Sequence, residues 1–310
     1  MNTKEKTLQN DLVSVIIPTY KRADMIVRAV ESALQQTSKT EVIVIDDNGQ
    51  GTAEQQETET ALTPYRDQIL YLVNEKNLGP SGTRNNGIRK ATGEFITFLD
   101  DDDEIDPKKL ELQREYLNQC GPEYSCCYCD YSKLLQNGKT FTNGETVEGD
   151  AYSYMLGRMI YLGSGSNLLI RTKVLHEVGL FNEKMRRYED YELMRRLLKN
   201  YKIAHLKQNL MTIHYEVRAI VPTFEDLYIN DIAYFENAKN EITLLPKRQQ
   251  NLIYQVAGLE RWRYGLPRLS KKECFQILKE NHVSVLLLVR YVLYLADRII
   301  RKRSYGFKPF

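Results

Sequence analysis

Four consecutive aspartates, Asp100–Asp103, are the residues of this sequence that could most directly do chemistry. Adjacent carboxylates repel one another, so they must face water, lie at the start of a helix or share a hard divalent cation that prefers oxygen ligands. Asp106 and Pro107 follow in the pattern of a helix N-terminus, so part of this charge also has a structural explanation. The run therefore predicts either a metal site or an acidic helix start.

The first half of the chain alternates short apolar runs with segments of helical periodicity. The predicted strands are 13–17, 41–45, 69–73 and 95–99, and the predicted helices are 23–36, about 50–62, 83–91 and 107–119. This alternation predicts an α/β fold whose mostly parallel central sheet is flanked by helices. Ligands bind at the carboxyl ends of such strands, where Asp46, Asp47 and the aspartate run stand.

Beyond residue 120 the pattern changes to a mixed sheet. The predictions are a hairpin of 124–135 and 139–141 around Asn137 and Gly138, strands at 166–171, 202–206 and 211–215, and a helix at 188–199. That helix is acidic at its start and basic toward its end, as the helix dipole favours. From Thr223 onward we expect only helices.

Composition excludes several classes of protein. The chain has 310 residues, 42% of them hydrophobic, which is enough for a packed core. A formal net charge of +2 gives no basis for nucleic acid binding. Residues 1–11 lack the apolar core of a signal peptide, so we expect a cytoplasmic protein with reduced thiols. The cysteines at 126, 127 and 129 accordingly suit a buried strand better than a zinc site.

Taken together and in order, five motifs resemble family 2 glycosyltransferases with the GT-A fold. They are 13–20, 44–47, 77–79 with Arg84 and Asn85, 98–103, and Glu189-Asp190 with Leu193 and Arg196. The resemblance covers about residues 12–216. It implies a Rossmann-like GT-A catalytic domain at 1–218, with a nucleotide-binding half at about 12–120 and an acceptor half at about 121–218. Residues 219–310 would form a separate C-terminal helical region.

The resemblance also implies which residues hold the donor, expected to be a UDP-sugar. A nucleotide-sugar presents a flat base, a ribose diol and a diphosphate, which require aromatic or amide contacts, carboxylates and a cation. The residues implied for the nucleotide are Pro18, Thr19, Tyr20, Asp47, Asn77, Arg84, Asp100 and Asp101.

A divalent metal, Mn²⁺ or Mg²⁺, is implied as cofactor. The family's Asp-x-Asp motif falls most naturally on Asp100 and Asp102, with Asp102 on the metal, although four aspartates leave the register open by one residue. His214 matches a position that can join the metal shell in related enzymes, and it also has a structural explanation as a lone histidine. The cation would neutralise charge on the departing nucleotide.

The resemblance assigns the base to Asp190, with Glu189 as its neighbour, and an inverting outcome. An acceptor hydroxyl must lose its proton as it attacks the anomeric carbon, so a carboxylate must stand opposite the departing phosphate. The same pair also fits the acidic first turn of an amphipathic helix. Residues 163–166, Gly-Ser-Gly-Ser, would form a flexible wall near the acceptor or a simple turn.

The basic carboxyl end offers a second functional hypothesis. Residues 281–310 carry six lysines and arginines against one acid, and 283–300 are strongly apolar but interrupted by Arg290, Asp297 and Arg298. A bilayer span is therefore not expected. The segment 283–303 fits an interfacial helix on an anionic membrane, which would suit a lipid-linked acceptor. It fits equally a surface packed on the catalytic domain or on a second copy in a homo-oligomer.

We therefore expect a metal-dependent, inverting glycosyltransferase that acts on a glycan or lipid-linked acceptor in bacterial surface polysaccharide synthesis, at the inner face of the membrane or free in the cytoplasm. A phosphoaspartyl phosphohydrolase is the first alternative, but its aspartate pair would follow the first strand rather than the fourth. A noncatalytic nucleotide-sugar binding protein is the second. The sequence has no Gly-x-x-x-x-Gly-Lys-Ser/Thr phosphate loop, which argues against an ATPase.

Overall fold

A computed structural model describes residues 8–185, 187–215 and 223–309. The four predicted parallel strands are confirmed, as β1 (Gln9–Thr19), β2 (Thr40–Asp46), β3 (Ile69–Val73) and β4 (Gly93–Phe98). They lie in the order β4-β1-β2-β3, and each neighbouring pair is parallel. Their carboxyl ends therefore meet at one edge of the sheet, as the alternating pattern predicts.

The sheet is covered on both faces because its strands are apolar on both faces. Val13, Val15 and Ile17 pack on one side, and Ile16 packs on the other. The covering helices of this half are α1 (Ile26–Leu34), α2 (Ala53–Leu62), α3 (Gly79–Lys90) and α4 (Lys109–Cys120). Gly87 lets α3 approach β1 closely, since a β-carbon there would collide with Ile16.

All four predicted helix starts differ from the structure by two to four residues, and two of the differences have a clear local cause. The third helix begins at Gly79, where Pro80 fits the first turn because its missing N–H needs no partner there. The fourth begins at Lys109 rather than Pro107: Asp106 Oδ1 accepts from the Lys108 N–H in a turn before the helix. The aspartate run therefore does not form the start of this helix.

The second half is mixed, as predicted. Its elements are β5 (Asp103–Ile105), β6 (Tyr124–Leu135), β7 (Thr140–Asn143), α5 (Tyr152–Leu156), β8 (Leu169–Arg171), α6 (Thr172–Val178), α7 (Glu189–Leu198) and β9 (Lys202–Tyr215). β8 is antiparallel to both β4 and β6, and so joins the two halves in one ten-stranded sheet. β6 and β7 form the predicted hairpin.

The prediction of separate strands at 202–206 and 211–215 is wrong, because β9 is continuous from Lys202 to Tyr215. The polar stretch 207–209 reads as a turn, yet it runs on beside β6 with a shift of register opposite Cys129 and Asp130. A bulge accommodates the extra residues without ending the strand.

The C-terminal region contains α8 (Phe224–Thr243), α9 (Lys247–Gly265), α10 (Lys271–Glu280) and α11 (Val285–Ile300). It is not wholly helical, because β10 (Arg303–Ser304) returns to pair with β7. A third core packs α8, α9 and α11 against α5. The predicted boundary at 218/219 lies outside the described residues. Of the helices that are described, none has the length and apolar character needed to cross a membrane.

Candidate active site

The aspartate run leaves β4 with alternating exposure. Asp101 and Asp103 are buried, while Asp100 and Asp102 are partly exposed. Asp101 accepts hydrogen bonds from Thr19 Oγ1 and from Arg22 Nη1, each at 2.8 Å. The same Arg22 nitrogen lies 2.8 Å from Asp102 Oδ2. The repulsion expected within the run is thus relieved by donors of the chain itself, an arrangement that the sequence analysis did not consider.

Asp103 holds the loop 163–166 against the run. Its Oδ2 accepts from the hydroxyls of Ser164 and Ser166, both at 2.7 Å. Burial raises the pKa of Asp103, and the negative charge of Asp100 adds to this effect. Together they bring the pKa to about 8. Ser166 Oγ also accepts from the Asp100 N–H at 2.9 Å. The predicted wall is therefore anchored to the acidic motif.

Arg84, on α3, joins the two predicted acidic clusters. Its Nη2 lies 2.8 Å from Asp100 Oδ1, and its Nη1 lies 3.0 Å from Glu189 Oε1. Burial opposes the charged form of Arg84, but Asp100 and Glu189 outweigh it and raise the pKa of Arg84. The aspartate run and the start of α7 consequently border the same guanidinium.

The segment before α7 is fixed from two sides. Asn85 pairs with the backbone of Phe181 in both directions, with its amide nitrogen donating at 3.0 Å and its oxygen accepting at 2.9 Å. Arg196 donates to three successive carbonyl oxygens, at residues 178–180, and forms a two-point ion pair with Glu192. These contacts explain why Asn85 and Arg196 accompany the acids in the motif set.

Asp190 lines a cavity that opens to solvent, with about 410 Å³ of empty space when its open mouth is counted. The other walls are Met155, Tyr161, Leu162, Gly163, Ser164, Gly165, Leu168, Tyr191 and Met194. Burial raises the pKa of Asp190 to about 6, with Glu189 adding to the effect. Oδ1 accepts from the Tyr191 N–H at 2.8 Å. The carboxylate is thus ionised at neutral pH with a proton affinity suited to a general base.

Asp102 is not among the residues that line this cavity. Asp100, two residues earlier in the run, is linked through Arg84 to Glu189, the residue before Asp190. A larger open groove of about 740 Å³ lies elsewhere, between α1 and β9. None of the predicted site residues lines that groove, whereas Asp190 lines the smaller cavity.

Most of the predicted nucleotide-binding residues lie at the carboxyl edge of the sheet. Tyr20 is 45% exposed, with the Lys21 ammonium 5.4 Å from the centre of its ring, whereas Thr19 is buried against Asp101. Pro18 is partly buried at the end of β1, and the Asn77 side chain reaches the Asp47 carbonyl at 3.4 Å.

Asp47 has a structural role that sequence reasoning did not find. Its Oδ1 accepts from the Leu78 N–H at 2.8 Å and from Asn74 Nδ2 at 2.7 Å, and its Oδ2 accepts from the Gly79 N–H at 2.9 Å. The carboxylate therefore stabilises the positive end of α3. It fixes the helix from which Arg84 extends.

The chain alone provides no complete metal cage. Within 8–185, 187–215 and 223–309, no three His, Cys, Asp or Glu side chains converge on a point that could hold a metal. His214 Nε2 lies 3.2 Å from Glu104 Oε2, across the pair β5 and β9. A partly exposed Asp102 still fits Mg²⁺ or Mn²⁺, because such ions are often bound by one or two protein groups plus substrate phosphates.

Two groups of the candidate site were not predicted from the sequence. Arg22 lies in the loop after β1, next to the predicted Thr19 and Tyr20, and its position at the carboxyl edge of the sheet was the available signal. Tyr161 lines the Asp190 cavity but follows no strand end and belongs to no motif, so nothing in the sequence singled it out.

Comparison with known families and proteins shows what this chain is similar to. The family model described as Glycosyl transferase family 2 matches residues 14–179. Five uncharacterized glycosyltransferases of Rickettsia species are 31 to 35% identical over 59 to 61% of the chain. The aligned region spans only 26 to 59% of the length of those relatives.

Two further relatives have more specific names. The putative colanic acid biosynthesis glycosyl transferase WcaA of Escherichia coli is 25% identical, over 84% of this chain and 94% of its own. The GalNAc(5)-diNAcBac-PP-undecaprenol beta-1,3-glucosyltransferase of Campylobacter jejuni is 33% identical, over 56% of this chain and 55% of its own.

Among solved structures, S. aureus TarS 1–349 in complex with UDP-GlcNAc superposes with a TM-score of 0.59. The two chains are 21% identical, and the match covers 80% of this chain and 72% of that one. The likeness is one of fold, and it confirms the GT-A architecture expected from the sequence motifs.

Proposed function

This chain belongs to glycosyl transferase family 2, and we propose that it moves a sugar from a UDP-sugar to a glycan or lipid-linked acceptor with inversion at the anomeric carbon. One observation carries the proposal: Arg84 bridges Asp100 and Glu189, next to the cavity that Asp190 lines. An acid predicted to bind the donor and the neighbour of the candidate base thereby contact one guanidinium, although they come from distant parts of the chain.

On the donor side, we assign Asp100 and Asp102 as the Asp-x-Asp pair. Their partial exposure supports this register, because Asp101 and Asp103 are buried and hydrogen-bonded within the protein. Asp102, with His214, would hold Mn²⁺ or Mg²⁺, which supplies charge neutralisation for the diphosphate leaving group. The residues that would border the nucleotide are Pro18, Tyr20, Asn77 and Arg84. The residues that would hold this part of the site in place are Thr19, Asp47 and Asp101.

The reaction is a direct displacement. The acceptor hydroxyl oxygen bonds to the anomeric carbon while the bond from that carbon to the phosphate oxygen breaks, and the hydroxyl proton passes to Asp190. The nucleoside diphosphate leaves with the electron pair of the broken bond. A pKa of about 6 makes Asp190 ionised and able to accept the proton at neutral pH. Glu189, bound to Arg84, positions this end of α7.

On the acceptor side, the Asp190 cavity combines a carboxylate with Tyr161 and several apolar walls. Such a mixture of a few polar groups and apolar surface is typical of sites for small ligands. The Campylobacter jejuni relative is named for an undecaprenol-linked substrate and the Escherichia coli relative for colanic acid biosynthesis. We therefore propose a role in bacterial surface polysaccharide synthesis, in the cytoplasm or at the inner face of the membrane.

We also propose residues 1–218 as the catalytic domain and 219–310 as a helical region that supports it. The pairing of β10 with β7 and the third core around α5 favour a region fixed to the catalytic domain rather than tethered beside it. Residues 283–303 of that region would provide the membrane contact.

Nucleotide release from a panel of nucleotide-sugars, with MnCl₂ and with EDTA, tests this function. We expect release from a UDP-sugar that needs the cation and is lost in Asp102→Ala and in Asp190→Asn. Asp67→Asn, at an exposed position outside the site, is the matched control and should keep full activity. Phosphate release from simple phosphoesters would instead indicate the phosphohydrolase, and donor binding without turnover would indicate the noncatalytic protein.

A further inference from the structure

The outward face of α11 is a continuous apolar stripe. Seven large apolar side chains of this sixteen-residue helix are exposed by 46 to 79%. They are Val285, Leu286, Val289, Val292, Leu293, Ile299 and Ile300. Their spacing of three, four and seven residues places them, with Ala296, on one side of the helix. A stripe of this length in a folded protein marks an interaction surface.

The opposite face of α11 holds the helix to the protein. Leu287, Tyr291 and Tyr294 are buried in the third core, which also contains residues of α9. Tyr291 Oη donates to Glu260 Oε1 at 2.5 Å, and Tyr294 Oη donates to the Tyr305 carbonyl at 2.7 Å. The helix is therefore anchored with its apolar stripe outward.

The positive charges around the apolar stripe of α11 favour one kind of binding partner. Arg290 is exposed beside the stripe, and Arg301, Lys302 and Arg303 are exposed at its carboxyl end. The acid of this segment, Asp297, is paired with Arg301 at 2.7 Å. Two copies joined face to face would bring two cationic segments together, because a two-fold interface pairs like with like. An anionic bilayer instead attracts the arginines and lysines and takes up the apolar stripe.

The stripe lies close to the candidate active site. Arg298, on the protein side of α11, has its guanidinium 5.8 Å from the ring centre of Tyr161. Tyr161 in turn lines the cavity with Asp190. A helix with its side chains is about 10 to 12 Å across, so the thickness of α11 and the 5.8 Å contact together separate this cavity wall from the outward stripe.

We infer that the exposed face of α11 binds the surface of an anionic membrane, with the helix lying in the plane of the interface. Bound in this way, α11 holds the Asp190 cavity next to the lipid surface. This last step rests on the proposed function, since it places the site where a lipid-linked acceptor presents its sugar. Membrane binding itself does not require transfer activity.

Vesicle flotation of the full chain tests the inference. We expect the protein to float with vesicles of phosphatidylcholine and phosphatidylglycerol, and to bind pure phosphatidylcholine at least about tenfold more weakly. The triple variant Leu286→Gln, Val289→Gln, Leu293→Gln should lose at least about tenfold of the anionic binding. The matched control is Leu244→Gln, Leu266→Gln, Phe275→Gln, three side chains exposed by 83, 50 and 68% on other elements. It should float like the parent.

Three results would overturn the inference: no flotation with anionic vesicles, equal loss in both triple variants, or a dimer in sedimentation that the α11 variant alone dissociates. Sugar transfer to a water-soluble acceptor, measured as nucleotide release, separates membrane binding from the proposed function. We expect the α11 variant to keep that activity while losing flotation, which shows that the fold and the site are intact. An inactive parent protein that still floats with anionic vesicles would leave membrane binding established and the transferase proposal refuted.

Discussion

Arg84 Nη1 and Glu189 Oε1 lie 3.0 Å apart, although the two residues are separated by 105 positions in the chain. The other edge of the same guanidinium contacts Asp100 at 2.8 Å. One side chain thus contacts both of the halves that we propose for donor and acceptor. Displacement of Arg84 should therefore disturb both halves of the site at once.

We expect Arg84→Gln to lower transfer by about a hundredfold or more, because a shift of about 1 Å in a reacting group can have an effect of that size. It should also lower stability by roughly 2 to 3 kcal/mol, since two carboxylates lose a largely buried partner. Steady-state kinetics and thermal unfolding measure the two effects. Arg89→Gln, at an exposed position of the same helix, should change neither. Unchanged kinetics in Arg84→Gln would contradict the bridging role.

Asp190→Asn should reduce kcat by about a hundredfold to ten-thousandfold, the usual contribution of a general base, with little change in donor affinity. In the parent protein, kcat/KM should rise with pH through an apparent pKa of about 6, as Asp190 loses its proton. Burial also raises the pKa of Asp101 to about 6, so the variant decides between them. A rising limb that survives unchanged in Asp190→Asn would assign it to another group.

The same substitution should stabilise the protein at neutral pH. The pKa of Asp190 is about 6 when folded, raised by burial and by Glu189, against about 3.9 in an unfolded chain. Folding therefore disfavours the ionised form, a cost that is absent below about pH 4 and complete above about pH 6. Asp190→Asn removes it, so we expect a gain on the order of 2 kcal/mol at about pH 8 and almost none near pH 4. Thermal unfolding at both pH values tests this, and a loss of stability at the higher pH would refute it.

Asp103→Ala should loosen the loop 163–166 without removing a donor ligand. Two serine hydroxyls lose their shared acceptor, so we expect the free energy of unfolding to fall by about 1 to 3 kcal/mol. The acceptor KM should rise several-fold while donor affinity stays near the parent value. Hydrogen exchange of the loop measures its opening. Weaker donor binding with an unchanged loop would instead place Asp103 on the nucleotide or its metal.

The fold was largely predictable because apolar periodicity is local in the sequence. It located β1 to β4 and predicted that they run parallel, and the Asn137-Gly138 turn located the hairpin. The partners of the carboxylates were not predictable, since they depend on contacts between distant segments. The sequence could not show that Asp47 binds the start of α3. Nor could it show that Arg22 lies between Asp101 and Asp102.

Helix α7 depends on the C-terminal region through a buried cation. The Arg158 guanidinium lies 4.0 Å from the ring centre of Tyr188, the residue before Glu189. Tyr188 has a φ of +63°, which is in the left-handed region. Arg158 is also ion-paired with Asp231 of α8, which in turn pairs with Arg261 of α9. A ring held in this way keeps the backbone at a strained angle, and the strain is offset by packing from the C-terminal helices.

We therefore expect Arg158→Met to lower stability by about 3 to 5 kcal/mol, because Asp231 loses one of two buried partners. At a temperature where the variant remains folded, kcat should fall by about tenfold or more, since the turn that presents Asp190 is no longer fixed. Arg187→Met is the control, because the Arg187 guanidinium lies farther from the Tyr188 ring, at 5.9 Å. A less stable Arg158→Met that keeps the parent kcat would show that the C-terminal helices support the fold but do not position the base.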